Sequence, residues 1–254
     1  MARKGGGGSL LINNVFHSVL IISLLIFKVC LFLGRHRLYD YLLYKNIIKM
    51  KIEHIKYADN EVRIPIAENY KDCMTLIKSD EFRLCGKIRS SASIIIKNLK
   101  PYKNSILFWL RLSSYKGWLY PFCYFMYKRA SARYQIQIPP SCKIGYGFYL
   151  GHKICMVINS GTIIGNNVNL SQFLNIGTNH DTPAIIADNV YVGPQVSIVE
   201  NVVINKKSTI GAGAVVTKDV PENATVAGVP AKILNYNNPG YYINNPYPHK
   251  LYEE

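Results

Sequence analysis

The chain has 254 residues, 49% of them hydrophobic, which is enough for one or two domains with a sizeable buried core. Its formal net charge of +15 at pH 7 favours an anionic partner, either a nucleic acid or an anionic membrane surface. The sequence shows no zinc-finger spacing and no aromatic ribonucleoprotein motif, so we expect no nucleic-acid partner. The six cysteines have no Cys-x-x-Cys spacing, which argues against a disulfide framework and against a zinc site, and favours a reducing compartment.

The positive charge is concentrated in the N-terminal half of the chain. From Gln135 to the end, seven Lys and no Arg are balanced by seven Asp and Glu. The other 23 basic and 8 acidic residues precede that point. The sequence therefore predicts a basic N-terminal region joined to a neutral C-terminal domain.

Residues 1–49 combine a linker-like start with a hydrophobic segment. Met1–Ser9 contains four consecutive Gly and has the composition of a flexible linker. Val15–Gly34 is almost wholly apolar, and a helix of that length would rise about 30 Å, enough to span a bilayer core. Lys28 argues against a membrane span, because a charged side chain in the bilayer core is energetically costly. Two interpretations stay open: an uncleaved membrane anchor, or a non-native extension upstream of a start at Met50.

Residues 50–135 are predicted to form an α-helical cap. The predicted helices are Asn69–Lys78, Ser90–Asn98, Ser105–Tyr115 and Pro121–Tyr134. The last two form a hairpin rich in aromatic residues, with Arg and Lys interleaved. This composition suits a membrane interface, and it also suits a cap packed on the next domain or on a partner subunit.

Residues 136–234 repeat with a period of six. The most regular apolar positions are Ile164, Leu170, Ile176, Ile186, Val192, Ile198, Ile204, Ile210 and Val216. An α-helix would place apolar residues every three or four positions and a strand every two, so the period favours a β-solenoid with three short strands per triangular coil. A β-sandwich would space its strands more widely and irregularly. We expect the tail, residues 235–254, to lie along a surface or to be disordered, without a role in chemistry.

Two histidines lie where this period is interrupted. His152 follows Leu150 at a two-residue excess, and His180 lies in a four-residue insertion after Ile176. Loops displaced from a rigid scaffold often carry function, and histidine is a natural base near neutral pH. We predict that His152 is a general base and His180 a second catalytic or acceptor contact. For each of them the alternative is a solvated loop histidine.

Two runs near the end of the repeats, Ile210–Pro221 and Ala227–Ile233, resemble the terminal signature of the left-handed β-helix acyltransferases, in their serine-acetyltransferase-like branch. The resemblance extends from about Gln137 to Leu234. It implies a mainly β fold, a left-handed parallel β-helix preceded by the α-helical region. It also implies acetyl-CoA as cosubstrate with no metal, and a homotrimer with the pantetheine arm of the cofactor between adjacent subunits.

On this resemblance, the cofactor-binding residues form one set near the C-terminal end of the solenoid. They are Gly193, Gly211, Ala212, Gly213, Thr217, Lys218 and Lys232. The small residues would let the pantetheine arm approach the backbone, and the lysines would meet the phosphates, with a solvated turn lysine as the alternative. The stretch Ile144–His152 resembles the family's approach to its catalytic histidine, which supports His152 as the base.

The chain departs from the family where serine is recognised. Serine acetyltransferases have Asp before the catalytic histidine, where this chain has Gly151, and an Asp-Ile-His-Pro run where it has Gln137–Pro140. Their Arg-His-Pro corresponds to Asp181–Pro183, and their Glu eight residues past the histidine corresponds to Ser160. Because a discriminating site needs its polar partners, these departures favour another acceptor.

The sequence thus favours an acetyl-CoA-dependent O-acetyltransferase that acetylates a sugar hydroxyl, similar to the enzymes of capsule and exopolysaccharide biosynthesis. One alternative is a serine O-acetyltransferase of cysteine biosynthesis, and another is a non-catalytic solenoid scaffold. A zinc-dependent solenoid would need three converging imidazoles, and because the repeats contain only two histidines the sequence argues against this alternative. We expect a cytoplasmic protein, with the inner face of the cytoplasmic membrane as a candidate location.

Overall fold

The computed structural model describes residues 50–58, 60–99, 105–179 and 182–248. The hydrophobic segment Val15–Gly34 and the candidate residue His180 lie outside these ranges. Within them, no helix has the length and apolar character that crossing a membrane would require.

The described part of the chain begins with a β-hairpin, in a region where the sequence predicts helix. β1 (Lys51–Tyr57) pairs antiparallel with β2 (Asn60–Ile66), so the prediction of a wholly α-helical region over residues 50–135 is wrong at its start. The cause is a period of two in the second strand, where Val62 and Ile64 are buried and Arg63 between them is exposed.

Four helices follow the hairpin. They are α1 (Tyr70–Cys85), α2 (Ser91–Leu99), α3 (Ser105–Leu112) and α4 (Tyr120–Tyr134). Each overlaps a predicted helix, which confirms the helical region beyond the hairpin. The first is longer than predicted: Asn69 caps its start by accepting hydrogen bonds from the backbone, and Gly86 ends it with a φ of 64°.

The repeats form a parallel β-solenoid, as the six-residue period predicts. Sheet 1 contains β4 (Lys143–Ile144), β7 (Ile163–Ile164), β10 (Ile185–Ile186) and β13 (Val203–Ile204). Sheet 2 contains β5 (Tyr149–Leu150), β8 (Asn169–Leu170), β11 (Tyr191–Val192), β14 (Thr209–Ile210), β16 (Thr225–Ala227) and the antiparallel β17 (Lys232–Asn235). Sheet 3 contains β3 (Ile136–Gln137), β6 (Met156–Ile158), β9 (Asn175–Ile176), β12 (Ser197–Ile198) and β15 (Val215–Val216).

The register of the strands explains the sequence period. Ile164, Ile186 and Ile204 are aligned partners in sheet 1, and all three are fully buried. In most of the two-residue strands the second residue fills the interior while the first faces outward. One bulky inward side chain is therefore required per side of the triangle, once every six residues.

Three stacks of turns form the edges of this triangular prism, and we name each by the sheets that it joins. Edge 1–2 carries turns such as Gly165–Val168, edge 2–3 carries turns such as Gly193–Val196, and edge 3–1 carries turns such as Val199–Val202. Sheet 3 therefore separates edge 2–3 from edge 3–1.

Segments that precede and follow the solenoid in the sequence cover two of its three sheets. Val62 and Ile64 of the hairpin pack with Ala187 and with outward residues of sheet 1. The tail runs back from the last coil toward α1, and Asn169 of sheet 2 donates to the Tyr242 carbonyl at 2.8 Å. Beyond it, Tyr247 is buried, and its backbone N–H donates to Asn167 at 2.7 Å. The described part of the tail, residues 235–248, therefore lies along the surface of the solenoid and the cap, one of the two outcomes expected for it.

Candidate active site

His152 lies in the first turn of edge 2–3. The backbone hydrogen bonds between this coil and the next end just before it, where the Gly151 N–H donates to the Leu170 carbonyl at 2.8 Å. The two-residue excess widens this turn, and His152 takes a left-handed conformation with a φ of 46°. Its side chain is exposed, and within the described ranges its ring makes no hydrogen bond. The ring is thus open to accept a proton from a bound hydroxyl.

The turn that carries His152 is attached directly to the end of α4. The Cys155 N–H donates to the Tyr134 carbonyl at 3.0 Å, and the Met156 N–H donates to the Gln135 carbonyl at 3.2 Å. The position of the candidate base is therefore coupled to the helical cap as well as to the solenoid.

Lys153, next to the candidate base, lines a small pocket beneath the cap. Asp80 and Glu81 line the same pocket, but Arg111 pairs with Asp80 and Lys97 pairs with Glu81. Lys153 is thus a third cation beside two carboxylates that are already paired. The pKa of Lys153 is lowered from 10.5 to about 8, mainly because burial disfavours the charged form; the nearby Lys97 acts in the same direction, and Glu81 and Asp80 oppose it.

The predicted cofactor residues from Gly193 to Gly213 lie on the same edge as His152. The turns are stacked by backbone hydrogen bonds, such as the one from the Gly213 N–H to the Pro194 carbonyl at 2.9 Å. Adjacent strands of a sheet lie about 4.8 Å apart, so the three steps from the coil of His152 to that of Gly211 amount to roughly 14 Å. Edge 2–3 can therefore present the base and these backbone groups to one extended ligand.

The glycines on this edge differ in what they do for the fold. A Cβ at Gly193 would lie 2.9 Å from the Ala212 backbone nitrogen, so this glycine is required by the stacking of the coils. Gly213 has a φ of 69°, and a Cβ there would meet nothing within 4 Å. Ala212 and Gly213 are exposed, so they form the accessible backbone of the edge.

The other predicted cofactor residues lie elsewhere. Thr217 and Lys218 are exposed at edge 3–1, four to five residues beyond Gly213, and are separated from it by the width of sheet 3, roughly 13 Å. Lys232 is exposed in β17, at the end of sheet 2. A single chain therefore does not bring the two predicted halves of the cofactor site together.

The described ends of the insertion that contains His180 lie on edge 3–1 and are bonded to the next coil. Glu200 accepts a hydrogen bond from the Thr178 hydroxyl at 3.0 Å and another from the Asn179 N–H. On the other side, the Asn201 N–H donates to the Thr182 carbonyl at 2.7 Å. Glu200 is not among the residues predicted from the sequence, although the six-residue period places it two residues beyond Ile198, the partner of Ile176.

Two of the positions that depart from the serine acetyltransferase pattern, Gly151 and Ser160, lie on these two edges. A Cβ at Gly151 would lie 3.8 Å from the Ser171 hydroxyl and 3.7 Å from the Leu170 carbonyl, so the fold leaves room for a larger residue beside His152. Ser160 lies on edge 3–1, where a Cβ on the neighbouring Gly161 would meet Pro183 at 2.5 Å.

Comparison with known proteins identifies the repeats. The family model described as bacterial transferase hexapeptide (six repeats) matches residues 183–218. A serine acetyltransferase from Buchnera aphidicola subsp. Schizaphis graminum is 33% identical over 194 residues, which is 74% of this chain and 65% of the relative. A serine acetyltransferase from Escherichia coli K12 is 33% identical over 114 residues, 43% of this chain and 42% of the relative. The chain thus spans less than two thirds of these relatives.

Solved structures show the same fold. A serine acetyltransferase from Vibrio cholerae aligns with a TM-score of 0.53 and 26% identity, covering 64% of this chain and 66% of the other. The Neisseria gonorrhoeae serine acetyltransferase, solved in complex with serine, aligns with a TM-score of 0.51 and 26% identity, covering 64% and 69%. These likenesses confirm the hexapeptide-repeat solenoid and its similarity to serine acetyltransferases.

Proposed function

We propose that this chain is an acyltransferase that moves an acetyl group from acetyl-CoA to a hydroxyl group, with His152 as general base. One observation carries the proposal: the candidate base and the exposed backbone at Ala212 and Gly213 lie on one edge of a solenoid that is similar to serine acetyltransferases. The acceptor oxygen attacks the thioester carbonyl while the imidazole takes its proton. The intermediate then collapses, the carbon–sulfur bond breaks and the thiolate of CoA takes up the proton.

The comparisons favour L-serine as the acceptor, in preference to the sugar hydroxyl that the sequence favours. The relatives are named as serine acetyltransferases, and one of the aligned structures contains serine. The fit of the chain to these structures supports a site of the same general shape.

A sugar hydroxyl remains the second candidate, because of the residues beside the site. Gly151 supplies no carboxylate next to His152, and Gln137 is a neutral residue on the outer face of sheet 3. On edge 3–1, Ser160 and Thr182 replace the Glu and the His of the family pattern. A zwitterionic amino acid would find fewer charged partners here than in the family pattern, whereas a neutral sugar needs none.

We further propose a homotrimer in which edge 2–3 of one subunit faces edge 3–1 of the next. The hairpin covers sheet 1 and the tail covers sheet 2, while the outer face of sheet 3 is left open by the described residues. Val157 on this face and Phe173 on the adjoining edge are 45% and 49% exposed. Such an assembly would bring Thr217 and Lys218 of one subunit toward His152 of another.

The deciding experiment measures CoA release by the full chain with L-serine and, separately, with a panel of hexoses and amino sugars. His152→Ala is expected to lower transfer by roughly two orders of magnitude or more, as loss of a general base does. His54→Ala, an exposed histidine of the hairpin, is the matched control and should retain activity. Transfer to serine alone supports the first acceptor, and transfer to a sugar alone supports the second. Equal rates for wild type and His152→Ala would overturn the assignment of the base.

A further inference from the structure

One face of α4 is exposed along the whole helix and combines aromatic with basic residues. We call this face the α4 stripe; its members are Pro121, Tyr124, Phe125, Lys128, Arg129, Ala132 and Arg133. They follow one another at alternating steps of three and one, so they share one side of the helix. The opposite side, which includes Cys123 and Tyr127, is buried against the rest of the cap.

The aromatic half of this surface lies at the start of the helix. Trp118, just before α4, is 70% exposed, and Phe125 is 57% exposed. Large aromatic side chains in water are unusual where a fold can bury them, and one of these two lies beside a cation. The Arg129 guanidinium lies 5.9 Å from the centroid of the Phe125 ring.

The basic half of the surface has no acidic counterpart in the surrounding sequence. From residue 82 to residue 180 the chain contains no Asp and no Glu. The same stretch contains the basic residues Arg83, Lys87, Arg89, Lys97, Lys100, Lys103, Arg111, Lys116, Lys128, Arg129, Arg133, Lys143 and Lys153. Arg83 and Arg111 are buried, and Lys97 and Lys143 are ion-paired. Lys128 and Arg129 are exposed and form no ion pair within the described part of the chain, so the α4 stripe carries net positive charge.

We propose that the α4 stripe, together with Trp118, is a docking surface for an anionic lipid membrane. Basic side chains are attracted to anionic headgroups, and aromatic side chains partition into the interface between headgroups and acyl chains. A nucleic acid would satisfy the cations but would give the exposed aromatic residues no apolar environment. A second copy of the chain is disfavoured on this face, because two such stripes would place like charges against each other.

The surface is close to the candidate active site. The stripe ends at Arg133, and the next two residues accept hydrogen bonds from the turn that carries His152. A membrane bound at α4 would therefore lie near the site, within reach of an acceptor held at the lipid surface. The docking surface itself does not depend on the proposed transfer activity.

The two tryptophans make this proposal directly measurable. Trp109 is only 3% exposed, so it supplies a constant signal, whereas Trp118 would move from water into the interface. We would titrate the full chain with phosphatidylcholine vesicles with and without phosphatidylglycerol, following fluorescence and flotation at low and high salt. We expect binding and a blue shift with the anionic vesicles only, weakened by salt, and loss of the shift in Trp118→Phe.

A charge variant and a matched control complete the test. Combined Lys128→Gln, Arg129→Gln and Arg133→Gln should weaken binding to anionic vesicles about 100-fold, at about fivefold per cation. Combined Lys56→Gln, Lys71→Gln and Lys207→Gln removes the same charge elsewhere and should weaken binding far less. The proposal would be overturned if the protein bound neutral vesicles as tightly as anionic ones, or if the charge variant bound anionic vesicles as tightly as wild type. It would also be overturned if duplex DNA displaced the vesicles and bound without a shift in Trp118 fluorescence.

Discussion

Arg111 donates two hydrogen bonds of 2.9 Å to the carboxylate of Asp80, and both side chains are almost completely buried. The same guanidinium donates to the carbonyls of Ile144 and Gly145 in the first coil, at 2.8 and 2.6 Å. Asp80 in turn accepts from the Phe148 N–H at 2.8 Å. One ion pair, shared by α1 and α3, thus joins the cap to the solenoid.

We predict that Arg111→Met destabilises the protein by about 3–5 kcal/mol, because it leaves the Asp80 carboxylate buried without its cation. Adding Asp80→Leu to this variant should recover part of the loss. Lys51→Met breaks an exposed pair with Glu68 and should cost less than about 1 kcal/mol. Urea denaturation of the variants measures all these effects. A loss from Arg111→Met as small as that from Lys51→Met would show that the buried pair does not hold the cap.

Much of the fold could be predicted because the solenoid is a local pattern repeated. Ile164, Ile186 and Ile204 stack because each coil needs one bulky inward residue per side, and that need is visible as a period of six. The hairpin was missed because its alternation is short, and its buried face is decided by contact with Ala187, more than a hundred residues later. Long-range packing of this kind leaves no periodic signal in the sequence.

The glycines on edge 2–3 make a matched pair for a test of cofactor binding. Gly193→Ala would place its Cβ 2.9 Å from the backbone of the next coil, and should cost about 1–3 kcal/mol because backbone cannot yield easily. Gly213→Ala meets open space, and should cost about 1 kcal/mol for its positive φ. Only the Gly213→Ala substitution adds a methyl group to the exposed backbone at Ala212 and Gly213. We therefore expect Gly213→Ala to weaken acetyl-CoA binding, measured by calorimetry, although it destabilises the fold only slightly. An unchanged affinity would argue against this exposed backbone as the cofactor groove.

The candidate site was only partly predictable. The break in the period made His152 a candidate, but the burial of the neighbouring Lys153 depends on the cap helices that pack over it. The predicted cofactor residues from Gly193 to Lys218 are divided between two edges by the path of each coil around the prism, and the insertion after Ile176 obscures the six-residue period from which that path could be read.

Lys153 should make stability depend on pH in the alkaline range. Its folded pKa is about 8, below the ordinary value of 10.5, so the unfolded chain binds the proton more tightly. Stability should therefore rise with pH between about 8 and 10.5, since the cost of the buried charge is fully present only below that range. Lys153→Met should be more stable than wild type at pH 7, with the gain disappearing at the top of the range. Urea denaturation at both pH values tests this against Lys71→Met, an exposed control; a stability loss at pH 7 would show that Asp80 and Glu81 hold the Lys153 charge favourably.

The open face of sheet 3 gives the proposed trimer its sharpest test. Val157 lies on that face and is 45% exposed, so Val157→Arg should disrupt an interface there by burying an unpaired charge. We expect the mass in analytical ultracentrifugation to fall to that of one 28.8 kDa chain, and acetyl transfer to fall with it, because Thr217 and Lys218 of a neighbouring subunit would no longer reach the His152 edge. Ile88→Arg, at a residue of similar exposure between α1 and α2, should leave mass and activity unchanged. A Val157→Arg protein that stays oligomeric and active would place the subunit contact, and therefore the second half of the site, on another face.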